Sequence, residues 1–221
     1  MQLMKLETKT NRCKICIKEI KDNSFYGSIH KDNLICESCF SSLKAKFIKF
    51  KINDIDALAI YEYDETIKKL IYTFKGCYDY ELKDVFLDRY KTYLKLKYWG
   101  YNLVFIPSNK LDDQKRGFNH VKEMFSSLKM NGVDVLEKSS REKQSSKSSK
   151  DRLKIDEILI SKNIDLVKNK KILIVDDIYT TGATMFKAIQ LVKKGHPKKI
   201  KVLVVAKTIE LDKRNNKNGL S

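Results

Sequence analysis

The chain contains no long apolar segment. Its longest uninterrupted aliphatic stretches, residues 172–175 and 202–206, are far shorter than the ~20 apolar residues that a membrane-spanning helix requires. Residues 1–13, MQLMKLETKTNRC, also lack the apolar core of a signal peptide. We therefore expect no membrane span and a cytoplasmic location, where thiols are kept reduced.

Proline, glycine and arginine are scarce. The 221 residues include 2 Pro and 8 Gly, and only six of the 45 basic residues are Arg, yet the net charge is +17. An AT-rich coding bias toward Lys, Ile, Asn and Tyr could produce this composition by itself. A strongly basic chain also suits a polyanionic partner such as nucleic acid, a phosphorylated metabolite or an anionic surface. Composition alone does not decide between coding bias and a polyanionic partner.

The hydrophobic pattern divides the chain into four segments. We expect a four-cysteine zinc-binding module over residues 1–45, a connector of strand and helices over 46–100, and a polar tail over 211–221. Between these, residues 101–210 alternate strand-like and helix-like patterns, which is typical of a mostly parallel sheet flanked by helices. Predicted strands cover residues 55–63, 103–106, 133–136, 171–175 and 200–206. Predicted helices cover residues 64–75, 80–98, 118–128 and 183–194.

Two short-spaced cysteine pairs occur near the N-terminus. Cys13 and Cys16 form the first pair, and Cys36 and Cys39 form the second after 19 intervening residues. This spacing is typical of structural zinc, because each pair supplies two thiolates to a tetrahedral ion and leaves no open position for water. The alternative is four unmetallated thiols. The fifth cysteine, Cys77, has no partner in the pattern, and we expect a packed or idle thiol.

An apolar strand ends in two adjacent carboxylates, Asp176 and Asp177. Ligands of parallel sheets bind at the carboxyl ends of the strands, and backbone N–H groups at a helix start bind anions. An acidic pair beside such a turn suits a sugar phosphate, whose hydroxyls donate to the carboxylates while its phosphate lies on the turn. The turn consists of Thr180, Thr181, Gly182, Ala183 and Thr184.

Two alternative roles for this strand and turn are disfavoured. A strand ending in Asp-Asp is also typical of P-loop NTPases, but no Gly-x4-Gly-Lys-[Ser/Thr] occurs in the sequence. A purely structural core strand is a poor alternative, because two adjacent carboxylates at its end cost desolvation unless something uses them.

The motifs together resemble the ComF family. The segment ILIVDDIYTTGAT, residues 172–184, is similar to the phosphoribosyl pyrophosphate signature of type I phosphoribosyltransferases. It follows the four-cysteine motif, Phe-Lys-Gly at 74–76, Arg-Gly-Phe-Asn-His at 116–120, and Arg-x-Lys-Gln-Ser at 141–145 with a later Arg152. The resemblance implies a type I phosphoribosyltransferase-like α/β fold with a small zinc module.

The resemblance also implies roles for individual residues. Asp176 and Asp177 would hold the ribose hydroxyls of phosphoribosyl pyrophosphate, directly or through magnesium-bound water, and residues 180–184 would bind its 5-phosphate. The turn that begins at Ser108 would face the diphosphate. Arg116 and the polar segment 139–154, with six basic and two acidic residues, would supply cations there. The chain departs from the family in having His120 where glutamine is frequent, and in lacking a second proline before the diphosphate turn.

Three functions stay open. The resemblance favours a factor of DNA uptake in natural transformation, which binds phosphoribosyl pyrophosphate and single-stranded DNA beside a competence helicase. The second is an active phosphoribosyltransferase of nucleotide metabolism whose acceptor the sequence does not name. The third is a non-catalytic sensor or scaffold that retains the sugar-phosphate site. Whether the protein is an enzyme is not decided by the sequence.

Overall fold

The computed structural model describes residues 12–20, 34–141 and 156–209. None of the helices within these ranges is long and apolar enough to cross a membrane.

A five-stranded sheet forms the centre of the fold, in the order β1-β2-β7-β6-β3. Strands β2, β7, β6 and β3 run parallel, and β1 pairs antiparallel with β2 at one edge. The predicted mostly parallel sheet is thereby confirmed. The strands of this sheet are β1 (Ile48–Ile52), β2 (Ile55–Glu62), β3 (Tyr101–Phe105), β6 (Lys171–Tyr179) and β7 (Lys199–Lys207). A separate antiparallel pair consists of β4 (Leu136–Arg141) and β5 (Asp156–Ser161).

Six α-helices accompany the strands in the described ranges. They are α1 (Glu37–Leu43), α2 (Glu65–Lys75), α3 (Lys91–Lys97), α4 (Lys110–Arg116), α5 (His120–Ser126) and α6 (Ala183–Lys193). Helix α2 shows how the sequence sets the bounds. The Asp64 side chain accepts from the Ile67 N–H at its start, and its buried apolar residues recur at helical spacing up to Phe74.

The two faces of the sheet have separate apolar cores. Along β6, Leu173 and Val175 belong to the core that includes α2 and α5, whereas Ile172 and Ile174 belong to the core that includes α6. This alternation follows from the period of two residues in a strand. The sheet is therefore the middle of three layers, and both of its faces are buried, which explains its near-continuous aliphatic strands.

The helix predicted over residues 80–98 is wrong in its first half. Two 3₁₀ helices, Tyr80–Asp84 and Asp88–Tyr90, precede the shorter α3. The buried Tyr61 hydroxyl donates to the Phe86 carbonyl at 2.9 Å. This long-range contact gives the Phe86 carbonyl a partner other than a helical N–H. Residues 80–98 therefore have helical spacing of their apolar side chains without forming one continuous α-helix.

The strand predicted over residues 133–136 is also displaced. The Val133 N–H donates to the Leu103 carbonyl, and Gly132 forms an isolated parallel bridge with Leu103 beside β3. The regular strand β4 begins only at Leu136 and pairs with β5 instead.

Residues 46–100, expected to be a connector, supply strands β1 and β2 to the central sheet. Strand β2 lies directly beside β7, with Leu58 paired to Leu203. The four-segment division of the chain stays a prediction, but this segment is part of the framework of the sheet.

Candidate functional site

The four N-terminal cysteines come together in space. The sulfur atoms of Cys13, Cys16, Cys36 and Cys39 lie within 4.8 Å of one another, and no disulfide joins them. The Cys16 and Cys36 sulfurs are 3.8 Å apart. A zinc ion with four Zn–S bonds of ~2.3 Å requires sulfur separations of about 3.8 Å. The cluster could therefore hold a structural zinc ion, and its donor set is the one that zinc prefers.

Backbone hydrogen bonds and packing fix this cluster against the rest of the fold. The Lys14 N–H donates to the Leu34 carbonyl at 2.9 Å and so joins the two cysteine pairs. On the outside, the Arg89 guanidinium lies 3.8 Å from the centre of the Phe40 ring, and Lys14 forms an ion pair with Glu81 at 2.9 Å. The cluster therefore lies in a segment that is packed on the main core.

The thiols differ in their protonation. Burial raises the pKa of Cys13, but hydrogen bonds from the backbone N–H groups of Cys16 and Cys36 outweigh it and lower that pKa to about 6. Burial and contacts with the neighbouring thiols raise the pKa of Cys39. Cys13 is thus ready to bind a cation as thiolate, and a divalent cation would supply the positive charge that favours ionisation of the others. Cys77 lies elsewhere and is exposed.

The acidic pair lies inside strand β6, two to three residues before its end. Asp176 pairs with Val204 of β7, and its side chain is half-buried, whereas Asp177 is buried. The Asp176 carboxylate accepts from the Asp177 N–H, and the Asp177 carboxylate accepts from the Ile178 N–H. Both carboxylates reach the cleft at the carboxyl ends of the parallel strands, where the sequence predicts them.

The Asp177 carboxylate in β6 contacts two side chains that come from helices α2 and α5. Lys75, the last residue of α2, donates to Asp177 Oδ2 at 2.6 Å, and His120 Nε2 lies 3.2 Å from the same oxygen. In the sequence, Lys75 stands out only as part of a tripeptide motif and His120 only as a departure from the family. The two residues lie 102 and 57 positions before Asp177, so no local pattern indicates their meeting at one oxygen.

The contacts of His120 define its tautomer. Arg116 Nη1 lies 2.9 Å from His120 Nδ1. A guanidinium group has only donors, so Nδ1 must accept and the ring proton sits on Nε2, from which it is donated to Asp177. His120 is therefore a neutral bridge between a guanidinium and a carboxylate. A glutamine side chain, which the family resemblance leads us to expect here, offers the same combination of one acceptor and one donor group.

The two carboxylates titrate in opposite directions. Burial, together with the neighbouring charge of Asp177, raises the pKa of Asp176 well above its ordinary value. Burial also acts to raise the pKa of Asp177, but the His120 hydrogen bond and the Lys75 charge outweigh it and hold that pKa below its ordinary range. Asp177 is thus a fixed carboxylate, and Asp176 is a carboxyl whose ionisation depends on a cation or a hydrogen-bond donor nearby.

Asp113 organises the opposite wall of the cleft. Its carboxylate accepts from the Ser108 hydroxyl at 2.5 Å, from Asn119 Nδ2 at 2.9 Å and from Arg116 Nη1 at 3.1 Å. Arg116 also donates from Nε to the Lys75 carbonyl at 3.0 Å, and its side chain is only 7% exposed. Arg116 and Ser108, both predicted to face a diphosphate, are therefore held in place by a residue that no motif in the sequence indicates.

The predicted phosphate turn has a conformation that requires glycine. Gly182 has φ = +79° and precedes the first residue of α6. A Cβ atom at this position would lie 2.3 Å from the Tyr179 hydroxyl oxygen. The positive φ of the turn therefore favours glycine, and a side chain at this position would also require the end of the Tyr179 ring to shift.

A cleft of about 330 Å³ joins these parts. The predicted residues that line it are Ser108, Arg116, Asp176, Asp177 and Thr184. The others, Thr180, Thr181, Gly182 and Ala183, lie in the adjoining turn and do not line it. Its basic residues also include Lys75 and Lys138. The predicted polar segment 139–154 begins in β4, but residues 142–154 lie outside the described residues.

Comparison with known proteins supports the fold and the resemblance. A profile of the phosphoribosyl transferase domain matches residues 114–219. Competence protein ComFC of Streptococcus pneumoniae is 34% identical over 143 residues, which are 65% of this chain and 64% of that protein. ComFC of Bacillus subtilis is 31% identical over 62% of this chain and 58% of that protein.

These matches support the resemblance to the ComF family. The fold of the chain is phosphoribosyltransferase-like, with a mostly parallel sheet between helices. The aligned regions span less than two thirds of the length of either ComFC protein.

Solved structures resemble the chain only in part. A hypoxanthine phosphoribosyltransferase of Staphylococcus aureus covers 57% of this chain and 62% of its own, with 17% identity and a TM-score of 0.35. A purine phosphoribosyltransferase of Pyrococcus horikoshii covers 57% of this chain and 83% of its own, with 16% identity and a TM-score of 0.35. Superpositions this partial carry no functional argument.

Proposed function

We propose that this ComF-like protein is a cytoplasmic factor of DNA uptake in natural transformation that binds phosphoribosyl pyrophosphate and single-stranded DNA. The main support for this ligand is the cleft, in which an acidic pair faces basic side chains next to a turn that contains Gly182. The names of the two ComFC relatives support the biological process.

The charges in the cleft suit a sugar diphosphate. Asp176 can accept from ribose hydroxyls, or from water on a magnesium ion that accompanies the diphosphate. Arg116, Lys75 and Lys138 line the same space and supply positive charge for phosphate oxygens. Because Lys75 and His120 already bind Asp177, Asp176 is the carboxylate with capacity to spare for the sugar.

A binding role is favoured over transfer to a nucleobase. The residues that line the described part of the cleft include no Phe, Tyr or Trp ring on which a purine or pyrimidine could stack, and the His120 ring is held by Arg116 and Asp177. The transferase alternative predicts that the protein releases diphosphate in the presence of candidate acceptor bases. The third alternative, a sensor or scaffold, retains ligand binding without release.

Isothermal titration of the full chain with phosphoribosyl pyrophosphate and Mg²⁺ tests the ligand. Asp176→Ala should weaken binding at least about tenfold, because it removes a hydrogen-bonding carboxylate at the sugar. Asp177→Ala should also weaken binding at least about tenfold, because it removes the carboxylate that positions Lys75 and His120 in the cleft. Asp165→Ala, an exposed carboxylate outside the cleft, is the matched control and should bind as the wild type does. Unchanged affinity in both cleft variants would remove the ligand assignment.

Deletion of the gene tests the process. Transformation by external DNA should fall, and expression of the wild-type chain should restore it. Partnership with a helicase of the uptake machinery predicts co-purification of the two from competent cells. Transformation at wild-type efficiency in the deletion strain would reject a role in DNA uptake and favour the nucleotide-metabolism alternative.

A further inference from the structure

A basic groove lies near the amino-terminal ends of the central parallel strands, away from the sugar-phosphate cleft. It encloses about 380 Å³ between the edge of the sheet and the end of α3. Four lysines line it, Lys49, Lys51, Lys97 and Lys201, and the acidic side chain among its lining residues is Asp56.

Strand register places these lysines on one face. Lys49 pairs with Leu58, Leu58 pairs with Leu203, and Lys51 pairs with Asp56. Lys201 precedes Leu203 by two residues and so shares its face. The same face therefore carries two lysines from the edge strand and one from β7.

The next pair of residues along this face adds two more lysines. Lys199 lies two residues before Lys201 and pairs with Lys171 of β6. Both are exposed. Within the described residues, none of the six lysines forms an ion pair, although Lys97 and Lys171 contact tyrosine rings. The surface holds positive charge that the fold itself does not neutralise.

Two exposed aromatic residues lie close to Lys97 in the sequence. Trp99 directly follows Tyr98, which lines the groove, and it is 78% exposed. Tyr93, one turn before Lys97 on α3, is 47% exposed, and the Lys97 ammonium lies 5.6 Å from the centre of its ring. Large aromatic residues at such exposure do not contribute to the core, and beside a basic groove they provide surfaces on which bases can stack.

We propose that this groove binds the backbone of single-stranded DNA, with Trp99 stacking on an unpaired base. The inference rests on the proposed function and locates its DNA-binding surface. Lysines that follow several strands suit a chain of phosphates better than one phosphate, and stacking requires bases that a duplex keeps covered. The groove is separate from the cleft, since Lys201 pairs with Leu173, four residues or about 13 Å along β6 before Asp177.

The sole tryptophan of the chain gives a direct readout. Titration of an oligothymidylate into the full-length protein should quench the emission of Trp99. The midpoint of this quenching should coincide with the midpoint of binding measured by fluorescence anisotropy of a labelled oligothymidylate. Inorganic diphosphate, which carries negative charge but no base, should leave the emission unchanged.

Two sets of variants separate the groove from general positive charge. The double change Lys51→Gln and Lys201→Gln should make the slope of log K against log salt about 1.4 shallower, because each single-strand phosphate contact contributes about 0.7. The matched control, Lys168→Gln with Lys194→Gln, removes the same charge from exposed sites adjoining the other core and should keep the wild-type slope. Trp99→Ala should weaken binding at least about fivefold, and Trp99→Phe less.

The outcomes distinguish this inference from the function on which it rests. If the wild type binds the strand but the groove variants keep its affinity and slope, the location is wrong and DNA binding stands. If duplex DNA quenches Trp99 equally, the stacking is wrong. If polyglutamate quenches Trp99 as the strand does, the surface suits an acidic peptide instead. If the wild type binds no single strand, both the location and the proposed DNA binding are rejected.

Discussion

Asp176 and Asp177 are neighbours in sequence with opposite electrostatic surroundings. Asp177 lies 2.6 Å from the Lys75 ammonium and within hydrogen-bonding distance of His120, whereas Asp176 is next to a second negative charge. A carboxylate whose pKa is lowered in the folded state stabilises that state above the pKa of the unfolded chain. A carboxylate whose pKa is raised does the reverse. The pair therefore combines one stabilising and one destabilising charge.

Amide substitutions should separate these two effects. Asp177→Asn removes the ion pair and should lower the free energy of unfolding at pH 7 by about 2 kcal/mol. Asp176→Asn removes the unfavourable charge while its amide oxygen can still accept from the Asp177 N–H, so stability at pH 7 should rise. The measurement is urea unfolding of the full chain.

The same variants predict the pH dependence. The wild type should lose the Asp177 contribution as pH falls below about 3.8, the ordinary pKa of the group, and Asp177→Asn should lack this loss. Equal stability changes of the same sign in both amide variants would contradict the opposite shifts.

His120 should tolerate glutamine but not leucine. His120→Gln keeps an acceptor for Arg116 and a donor for Asp177, so the free energy of unfolding should change by less than about 1 kcal/mol. His120→Leu leaves two buried charged groups without that partner and should cost about 2–3 kcal/mol. Chemical denaturation of the two variants checks the difference. Equal losses would show that ring packing, rather than the hydrogen-bonded bridge, is what matters.

At the residue scale, the sequence predicts what is contiguous. The acidic pair and the cysteine pairs are recognisable because their members lie within a few positions of each other. The partners Lys75 and Asp113 come from separate helices, and only the tertiary fold brings Lys75 to Asp177 and Asp113 to Ser108 and Asn119. The sequence around Lys75, which precedes a glycine, and around Asp113, which lies within a helix, does not indicate these contacts.

At the scale of elements, the turn between β6 and α6 combines two separate demands for glycine. Gly182 has a positive φ, which costs any other residue about 1 kcal/mol, and it also lies against the Tyr179 ring. Gly100 provides the comparison, because its φ is +76° but a Cβ atom there would have no neighbour within 4 Å.

Gly182→Ala should therefore be worse than Gly100→Ala. Both variants incur the cost of a positive φ, but only Gly182→Ala forces the Tyr179 ring or the turn to move. The affinity for phosphoribosyl pyrophosphate should fall at least about tenfold in Gly182→Ala and stay at the wild-type value in Gly100→Ala. Titration calorimetry measures both. Similar affinities in the two variants would mean that the turn does not touch the phosphate.

The four-cysteine cluster should bind one zinc ion per chain. Cys13→Ser removes the thiol whose pKa is already lowered, and zinc content measured after gel filtration should fall to near zero. Cys77→Ser, which alters the exposed fifth cysteine, is the matched control and should retain the metal. Full zinc content in Cys13→Ser would show that the metal is held elsewhere.

Elements are predictable where local and long-range forces agree. The helix predicted at residues 64–75 matches α2 within one residue, because cap, apolar spacing and a terminal glycine coincide. The segment 80–98 has the same spacing, but the contact of Tyr61 with the Phe86 carbonyl competes with helical hydrogen bonds. A pattern of apolar residues reports which side is buried, not whether the backbone stays regular.

At the scale of the whole molecule, part of the net charge of +17 is divided between the two ends of the parallel strands. The cleft at the carboxyl ends of the strands combines its basic groups with three carboxylates, whereas the groove near their amino-terminal ends has four lysines and one aspartate. The first arrangement suits a small ligand that carries both hydroxyls and phosphates. The second suits an extended polyanion.

Separate sites predict that the two ligands do not compete. Lys201 and Asp177 are on neighbouring strands, about 13 Å apart along the sheet, so a sugar diphosphate in the cleft leaves the groove free. Saturating phosphoribosyl pyrophosphate with Mg²⁺ should change the dissociation constant of an oligothymidylate less than about twofold at constant ionic strength. The ionic strength must be matched, because added salt alone weakens DNA binding. If the oligothymidylate is displaced in proportion to the occupancy of the cleft, both ligands bind at one site. The proposed division of charge between cleft and groove would then be wrong.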